Sequence, residues 1–337
     1  MRDPSYPKIV AIGGGTGLAS VLRGLKPLDC EITAIVTVAD DGGSSGRLRK
    51  DMGILPPGDI RNCLLALAQA EPDMASLFNH RFQKGELNGH NFGNLFLAAM
   101  TEMTGDFQVA VRTMSRILAV RGTVLPATLC DVSLRAVMED GTEVAGEYNI
   151  PLARKSIRRL HMEPEDPPAL DEAVKRIEEA DGIIIGPGSL YTSVIPNLLV
   201  PGIKAAIAGS PAPRMYVCNV MTQPGETDTF SAVDHVLALE AHAGRLFSYV
   251  LVNTATAPSD IASKYALEGK FQVLVDSDAL YDRGYVPVTG DYLSKGDLAR
   301  HDSASLGRSI LGFVTQKDLA EKVAGSRAPK RSAATDS

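Results

Sequence analysis

The segment KIVAIGGGTGLASVLRGL (Lys8–Leu25) joins a short apolar strand, a glycine-rich turn and a stretch whose apolar residues have helical spacing. A second strand, rich in β-branched residues, follows at Glu31–Val38. The order strand, glycine turn, helix and strand is how a doubly wound parallel sheet begins. The sequence therefore predicts an α/β, Rossmann-related fold with a mostly parallel sheet.

One segment interrupts this α/β pattern. Helices are predicted from Asp59, a candidate N-cap, and from about Asn91 to Val120. LRAVMEDGTEVAGEYNI (Leu134–Ile150) then contains two alternating runs around Asp140-Gly141, a turn that favours hairpins. We therefore expect an antiparallel hairpin insertion at about residues 122–160.

The α/β pattern then resumes and continues to the end of the domain. The predicted elements are a helix in DEAVKRIEEA (171–180), a strand in DGIIIGPGSL (181–190), a strand in RMYVCNVM (214–221), a helix at Ser231–Ala243, and strands in SYVLVNT (248–254) and FQVLVDSD (271–278). We expect one nucleotide-binding domain at residues 8–315. An N-terminal extension (1–7) precedes it, and a tail (316–337) that is disordered at its end follows it.

The composition and net charge of the chain disfavour some classes of protein. The chain of 337 residues has a net charge of -6, which disfavours a general nucleic-acid binder. Its four cysteines lie far apart without metal-ligand spacing, and this usage predicts reduced thiols. The sequence shows neither a signal peptide nor an apolar run of about 20 residues. We therefore expect a cytoplasmic protein without membrane insertion.

Polar, glycine-rich turns follow four of the predicted strands. They are GGGTG (Gly13–Gly17), ADDGGSSGR (39–47), GPGSLYTS (186–193) and NVMTQPGET (219–227). In an open α/β sheet ligands bind beyond the carboxyl ends of the strands, and glycines there let phosphate approach backbone N–H groups at a helix N-terminus. The first turn has Leu18 where G-x-G-x-x-G needs glycine, and it lacks the Gly-Lys of a Walker A loop. The turn therefore either binds a nucleotide phosphate without matching either standard motif, or is only a tight turn.

Several polar side chains in these turns are candidates for ligand contacts. Asp40 and Asp41 end the second strand, where a Rossmann protein holds a ribose hydroxyl, although such a loop can also be merely solvated. Asn94 could contact a ligand or cap a helix. His301 is expected to be a surface or packing residue. The sequence contains no recognisable histidine metal pattern and no Ser-His-Asp arrangement.

Together these motifs resemble a known family. GGGTGL, TVADDGGSSGRLR, PPGDIRN, GHNFGN, ADGIIIGPGSLYTSVIPNLL and CNVMTQPGET follow one another as in the gluconeogenesis-factor (YvcK-like) proteins, within the CofD-like superfamily of 2-phospho-L-lactate transferase. The resemblance covers about Pro7 to Phe313 and implies a CofD-like fold. It also implies binding of UDP-N-acetylglucosamine, a role in cell shape and peptidoglycan-precursor supply during gluconeogenic growth, a homodimer and a protein partner in cell-wall precursor synthesis.

The residues and the resemblance together predict a ligand-binding site. The nucleotide or UDP-sugar is expected to contact Gly13, Gly14, Gly15, Thr16, Gly17, Asp40, Asp41, Gly42, Ser44, Ser45, Asn62, Asn94, Gly186, Gly188, Ser189, Tyr191, Thr192, Asn219, Thr222, Gln223, Tyr265 and Arg300. The transferase relatives use a divalent metal, so the resemblance makes Asp40, Asp41 and Asp59 candidate Mg²⁺ ligands. It also implies that Tyr265 and Arg300 contact the sugar end of the ligand, and that Ser303 can be phosphorylated beside Arg300.

Three functions remain open from the sequence. The first is a regulatory protein that senses a nucleotide-sugar, for which no catalytic residue is assigned. The second is a Mg²⁺-dependent phospho-group transferase. The third is an NAD-binding protein, which the acids after the second strand favour and the broken glycine fingerprint disfavours. The behaviour of the family favours the first.

Overall fold

In residues 6–69 and 72–315, which the computed structural model describes, seven parallel strands form the central sheet and three antiparallel strands form a second, smaller sheet. In chain order the strands are β1 (Lys8–Gly13), β2 (Glu31–Val36), β3 (Thr123–Pro126), β4 (Ser133–Met138), β5 (Glu143–Ala145), β6 (Ile157–Glu163), β7 (Gly182–Ile185), β8 (Arg214–Val217), β9 (Tyr249–Asn253) and β10 (Val286–Gly290). The expected α/β fold with an antiparallel insertion is confirmed.

Helices cover both faces of the central sheet. They are α1 (Gly15–Leu25), α2 (Gly43–Met52), α3 (Gly58–Leu67), α4 (Pro72–Asn79), α5 (Phe92–Thr104), α6 (Phe107–Ile117), α7 (Asn149–Leu152), α8 (Asp171–Glu178), α9 (Ile195–Leu199), α10 (Pro201–Gly209), α11 (Ala232–Ala243), α12 (Ser259–Leu267), α13 (Ser277–Asp282) and α14 (Ser303–Thr315), with a π-helical turn at Leu190–Val194. Because the inner strands are buried on both faces, their sequences are almost continuously apolar.

The strand order places a crevice beside β1. Across the sheet the order is β10-β9-β8-β7-β1-β2-β3, so the chain extends from β1 toward β3 and later returns to the other side of β1 at β7. Both neighbours pair with β1 in parallel, with Ile9 opposite Ile32 on one side and Gly182 on the other. The connections after β1 and β7 therefore diverge, which is the geometry of a topological switch point.

The small sheet is built around β4. β4 pairs antiparallel with β5 across the predicted turn at Asp140-Gly141, and with β6 on its other edge. The third strand, β6, was not predicted. β3 at the start of the expected insertion pairs with β2 in the central sheet, so the antiparallel sheet itself begins at Ser133.

The last strand of the central sheet differs from the prediction. FQVLVDSD contributes only an isolated bridge between Gln272 and Met221, and its Leu274 is 74% exposed. The segment follows the rim of the sheet because it bonds to the turn after β8, where the Val273 N–H donates to the Val220 carbonyl. The true last strand, β10, contains Pro287, which an edge strand tolerates.

Two helix starts also differ in detail. α3 begins at Gly58 with Pro57 as N-cap, so Asp59 lies in the first turn and does not cap the helix. α2 begins at Gly43, inside the stretch expected to be a loop.

Cys30, Cys63 and Cys218 are buried and Cys130 is partly buried, all as free thiols. The predicted C-terminal tail and most of the N-terminal extension lie outside the described residues.

Within the described part of the chain, no single helix has the length and apolar composition needed to cross a membrane. The bent pair Leu190–Leu199 and Pro201–Gly209 meets that criterion only jointly.

Candidate functional site

A cleft opens at the switch point between the turns that follow β1 and β7. The two turns touch: a Cβ on Gly17 would lie only 2.6 Å from the Pro187 carbonyl oxygen, so a residue without a side chain is required there. This switch-point cleft has a volume of about 330 Å³, which is in the range of small-molecule sites. The predicted site residues that line it are Gly14, Gly15, Thr16, Gly17, Gly188, Ser189, Asn219, Thr222, Gln223, Tyr265 and Arg300.

The N-terminus of α1 forms one wall of the cleft. Gly14 is the N-cap, and Gly15 adopts a φ of +62°, a conformation that glycine takes without strain. The N–H groups in the first turn of a helix have no acceptor within the helix. The Gly15 N–H donates to the Asp59 carboxylate, while Thr16 and Gly17 face the cleft. Their N–H groups and the helix dipole suit an anion.

Amide side chains hold the opposite wall in place. Asn219 donates through Nδ2 to the Gly188 carbonyl (2.8 Å) and accepts from the Gly188 N–H at Oδ1 (3.1 Å). Gln223 Nε2 donates to Ser189 Oγ at 2.7 Å. These bonds fix the turn after β7 to the turn after β8, so the polar groups of both strand ends are already ordered.

Positive charge collects at the rim of the cleft. Arg300 is exposed, and the ammonium of Lys270 lies 5.7 Å from the centroid of the Tyr265 ring. No Asp or Glu side chain of the described residues lines the cleft. Lys270 is paired with the Glu268 carboxylate at 2.6 Å, outside the lining of the cleft. Helix N–H groups together with Arg300 and this lysine favour an anionic ligand.

His301, which was expected to be a surface or packing residue, lines the cleft. Burial lowers its pKa to about 4, and a hydrogen bond to the backbone of Cys218 opposes this shift. The imidazole is therefore neutral at pH 7. Its buried Nε2 has no hydrogen-bond partner within the described chain, although the ring borders the cleft. Its proximity to Arg300 in sequence was the only available signal.

A second depression lies on the other side of the turn after β1. We call it the acidic depression, after its three carboxyl groups, Asp40, Asp59 and Glu147. Burial and the neighbouring Asp40 raise the pKa of Asp59 to about 7. Burial, followed by Asp40 and Asp59, raises the pKa of Glu147 to about 8. The carboxyl groups of Asp59 and Glu147 are thus partly shielded from water and keep their protons to a higher pH than free carboxyl groups do.

The acidic depression collects the second group of predicted residues. Besides Asp59, these are Asp40, Gly42, Ser44, Ser45, Asn62 and Asn94. Asp40 accepts the Gly42 N–H at 3.0 Å, and burial raises its pKa. Glu147 reaches the depression from the segment that follows β5, about 90 residues from α3. Its sequence context gave no sign of this role.

Five of the predicted ligand-binding residues, Gly13, Asp41, Gly186, Tyr191 and Thr192, are not brought into either depression. Asp41 turns away and accepts the backbone N–H groups of Glu147 (3.0 Å) and Tyr148 (2.8 Å). Tyr191 and Thr192 are buried, because the turn after β7 continues into the π-helical turn and points both side chains inward. There the Tyr191 N–H and the Thr192 hydroxyl donate to the buried Glu226 carboxylate, each at 2.9 Å.

Gly13 and Gly186 contribute backbone alone, at the ends of their strands. Ser303 is the first residue of α14, three positions after Arg300, and is partly buried.

The described residues fit a Mg²⁺ ion only in part. Within them, no three His, Cys, Asp or Glu side chains are placed to hold one metal ion. Asp40 and Asp59 supply the carboxylate oxygens that Mg²⁺ prefers, and Mg²⁺ often takes only one or two carboxylates and completes its shell with water or phosphate. Asp41 does not fit, because both of its oxygens accept backbone N–H groups.

Comparisons with known proteins agree with this architecture. The family pattern for 2-phospho-L-lactate transferase CofD matches residues 9–293. The chain is 53% identical to the gluconeogenesis factor of Bacillus subtilis over 92% of this chain and 99% of the relative. It is 50% identical to the gluconeogenesis factor of Halalkalibacterium halodurans, over 90% and 95% respectively. A crystal structure of a UPF0052 family protein from Bacillus halodurans matches with a TM-score of 0.89 at 48% identity, covering 92% of this chain and 100% of that one.

Proposed function

The chain belongs to the 2-phospho-L-lactate transferase CofD family, and from its cleft and its gluconeogenesis-factor relatives we propose that it is a regulatory protein that binds UDP-N-acetylglucosamine. In this proposal the bound nucleotide-sugar reports on precursor supply. The protein then supports cell shape and peptidoglycan-precursor synthesis in the cytoplasm during growth on gluconeogenic carbon sources. It acts as a homodimer, through a protein partner in cell-wall precursor synthesis.

The observation that carries the proposal is the charge pattern of the switch-point cleft. A nucleotide-sugar has two linked phosphates, and the cleft offers the first-turn N–H groups of α1 together with Lys270 and Arg300. Arg300 is suited to a bidentate phosphate contact. The Tyr265 ring supports stacking on a base or a sugar face, and its hydroxyl can hydrogen-bond. Asn219 and Gln223 line the same cleft and hold Gly188 and Ser189 in position there.

Titration calorimetry with UDP-N-acetylglucosamine tests the proposal. We expect Arg300→Ala to lower the affinity roughly tenfold or more, because a hydrogen bond to a charged group contributes about 1.5–3 kcal/mol. Tyr265→Ala should also weaken binding. Arg158→Ala is the matched control, since Arg158 is an exposed arginine on β6 that does not line the cleft. Binding of both cleft variants within twofold of wild type would reject the assignment.

A second candidate function is a Mg²⁺-dependent phospho-group transferase. The observation that favours it is the acidic depression, which adjoins the cleft at the contact between the Gly15 N–H and Asp59. When bound, Mg²⁺ would act as an electrophile for a phosphate, with Asp40 and Asp59 holding it. A thermal-shift panel of UDP-, GDP- and nicotinamide nucleotides, with and without Mg²⁺, separates the candidates. Mg²⁺-dependent stabilisation by GDP that is lost in Asp59→Asn would favour the transferase.

A further inference from the structure

The acidic depression also has a cationic side. Arg61 on α3 is only 8% exposed, and its Nη2 donates to Asn62 Oδ1 at 2.6 Å. Its Nε and Nη1 are buried without a hydrogen-bond partner, and it forms no ion pair within residues 6–69 and 72–315. A buried guanidinium is costly unless its charge and its N–H groups are matched. Asp59 and Asp40 oppose its charge through space without forming an ion pair, so the guanidinium keeps unpaired N–H groups in the wall of this depression.

The fold makes room for this arginine. A Cβ on Gly93, at the start of α5, would lie 2.8 Å from Cδ of Arg61 and 2.7 Å from the Phe78 carbonyl oxygen. Only glycine leaves space there for the aliphatic part of the arginine. The side chain is thus held in a defined channel between α3 and α5, with its guanidinium bordering the depression.

Two more groups in the same wall are free to bind a ligand. Asn94 is 3% exposed; its Nδ2 donates to Ser45 Oγ at 3.4 Å, while its buried Oδ1 has no partner among the described residues. Arg81 is exposed at the mouth, where its Nη1 donates to the Gly89 carbonyl at 2.6 Å. Two guanidinium groups and an amide therefore line the same small space as the carboxyl groups.

We propose that the acidic depression binds a second ligand, a small hydroxylated molecule whose phosphate or carboxylate group is held by Arg61 and Arg81 and whose hydroxyl groups face Asn94 and the Asp40–Asp59 carboxyls. Guanidinium groups bind either oxyanion through paired N–H donors. Carboxyl groups and an amide oxygen are acceptors for hydroxyl protons. The ligand thus needs an anionic end and a neutral polar end.

This site is separate from the nucleotide-sugar cleft and does not depend on what that cleft binds. The residues lining the two spaces do not overlap, and the turn after β1 stands between them. Arg300 therefore belongs to one site and Arg61 to the other. This separation makes it possible to test each site with its own variant.

Thermal unfolding with three probes tests the proposal. Inorganic phosphate, glycerol 3-phosphate and malonate are compared with sodium chloride at equal ionic strength, with EDTA present so that no metal ion mediates binding. At least one probe should raise the melting temperature of the wild type. A response to the phosphates identifies a phosphorylated ligand, and a response to malonate identifies a carboxylate. Calorimetry then gives the affinity for the active probe.

The variants decide where the probe binds. We expect Arg61→Met to abolish the shift and Arg81→Gln to lower the affinity roughly tenfold, as for loss of a charged hydrogen bond. Arg300→Ala and Arg47→Gln should keep the wild-type shift. Arg47 is the matched control, because its guanidinium donates to the nearby Asn88 carbonyl but does not line the depression.

Four results would overturn the proposal. One is a wild type that responds to none of the probes. Another is a shift that survives in Arg61→Met but disappears in Arg300→Ala, which would place the anion in the nucleotide-sugar cleft. A third is a wild-type shift in both Arg61→Met and Arg81→Gln. The last is an Arg61→Met protein that fails to fold while Arg81→Gln binds the probe as the wild type does, which would make the arginine structural.

Discussion

Replacing Gly24 by alanine should push α14 away from α1 and so disturb the cleft without touching any lining residue. Gly24 on α1 faces Gly307 on α14, and a Cβ on Gly24 would overlap the Ser303 carbonyl oxygen and lie 3.0 Å from the Gly307 N. These are backbone atoms, so no rotamer change relieves the overlap. α14 begins directly after Arg300 and His301, which line the cleft, so its displacement moves them.

The expected magnitude follows from two opposing terms. Overpacking a close contact costs about 1–3 kcal/mol, and the backbone contact here favours the upper part of that range. Alanine in a helix interior is more favourable than glycine by about 0.5–1 kcal/mol. The net expectation is a loss of roughly 1–2 kcal/mol in the free energy of unfolding. If Arg300 also loses its phosphate contact, the affinity for UDP-N-acetylglucosamine should fall roughly tenfold.

Urea unfolding and calorimetry measure the two effects. Gly312→Ala is the control on the same helix, because a Cβ there has no heavy atom within 4 Å. It should stabilise the protein by about 0.5–1 kcal/mol and leave the affinity unchanged. A Gly24→Ala protein as stable as the Gly312→Ala protein, with wild-type affinity, would refute the role assigned to the α1–α14 contact.

Other perturbations probe separate parts of the structure. Asp41→Asn should lower the free energy of unfolding by roughly 1.5–3 kcal/mol, measured with urea, because Asp41 binds two backbone N–H groups; unchanged stability with lost ligand binding would contradict this. Burial raises the pKa of Glu226 from 4.5 to about 7, so its contribution to stability is complete below pH 4.5 and is lost as the pH rises through about 7. Melting temperatures from pH 5 to 8 should therefore fall less in Glu226→Gln than in wild type, and parallel curves would exclude this assignment. Ser303→Asp, as a phosphate mimic, should weaken binding of UDP-N-acetylglucosamine by competing for Arg300, whereas Ser303→Ala should not. Light scattering should give a mass near twice the 35.8 kDa of the chain, and a monomer at micromolar concentration would reject the dimer.

Much of the switch-point cleft was predictable because its walls are local sequence features. Each wall is a strand followed by a glycine-containing turn, and parallel strands bring their carboxyl ends to one edge of the sheet. The turns after β1, β7 and β8 were therefore expected to meet, and they do. Even the distant Tyr265 and Arg300 were nominated, although only through the family resemblance and not from any local pattern.

The acidic depression was predicted less well, for two physical reasons. Neighbouring residues of an extended chain point in opposite directions, so Asp40 and Asp41 cannot both face one site. Asp40 faces the depression and Asp41 anchors the segment that delivers Glu147. The contribution of Glu147 depends on how the small sheet docks, which is a long-range packing outcome. Arg61 was hidden because its helical pattern is that of an ordinary amphipathic helix.

The glycine turn after β1 explains why one polar region in the sequence becomes two sites in the structure. The Gly15 N–H is bound to Asp59, and a Cβ on Gly14 would overlap that carboxylate, so the turn is packed against the acidic depression on one side. Thr16 and Gly17 open into the nucleotide-sugar cleft on the other side. A phosphate on α1 and a ligand near Asp59 would thus meet across a single backbone turn. A phospho-group transfer between the two ligands would have to cross this turn, whereas a regulator could sense both ligands through it without any transfer. The same fold therefore suits both a transferase and a regulator, and the ligands bound on the two sides of this turn decide between the two functions.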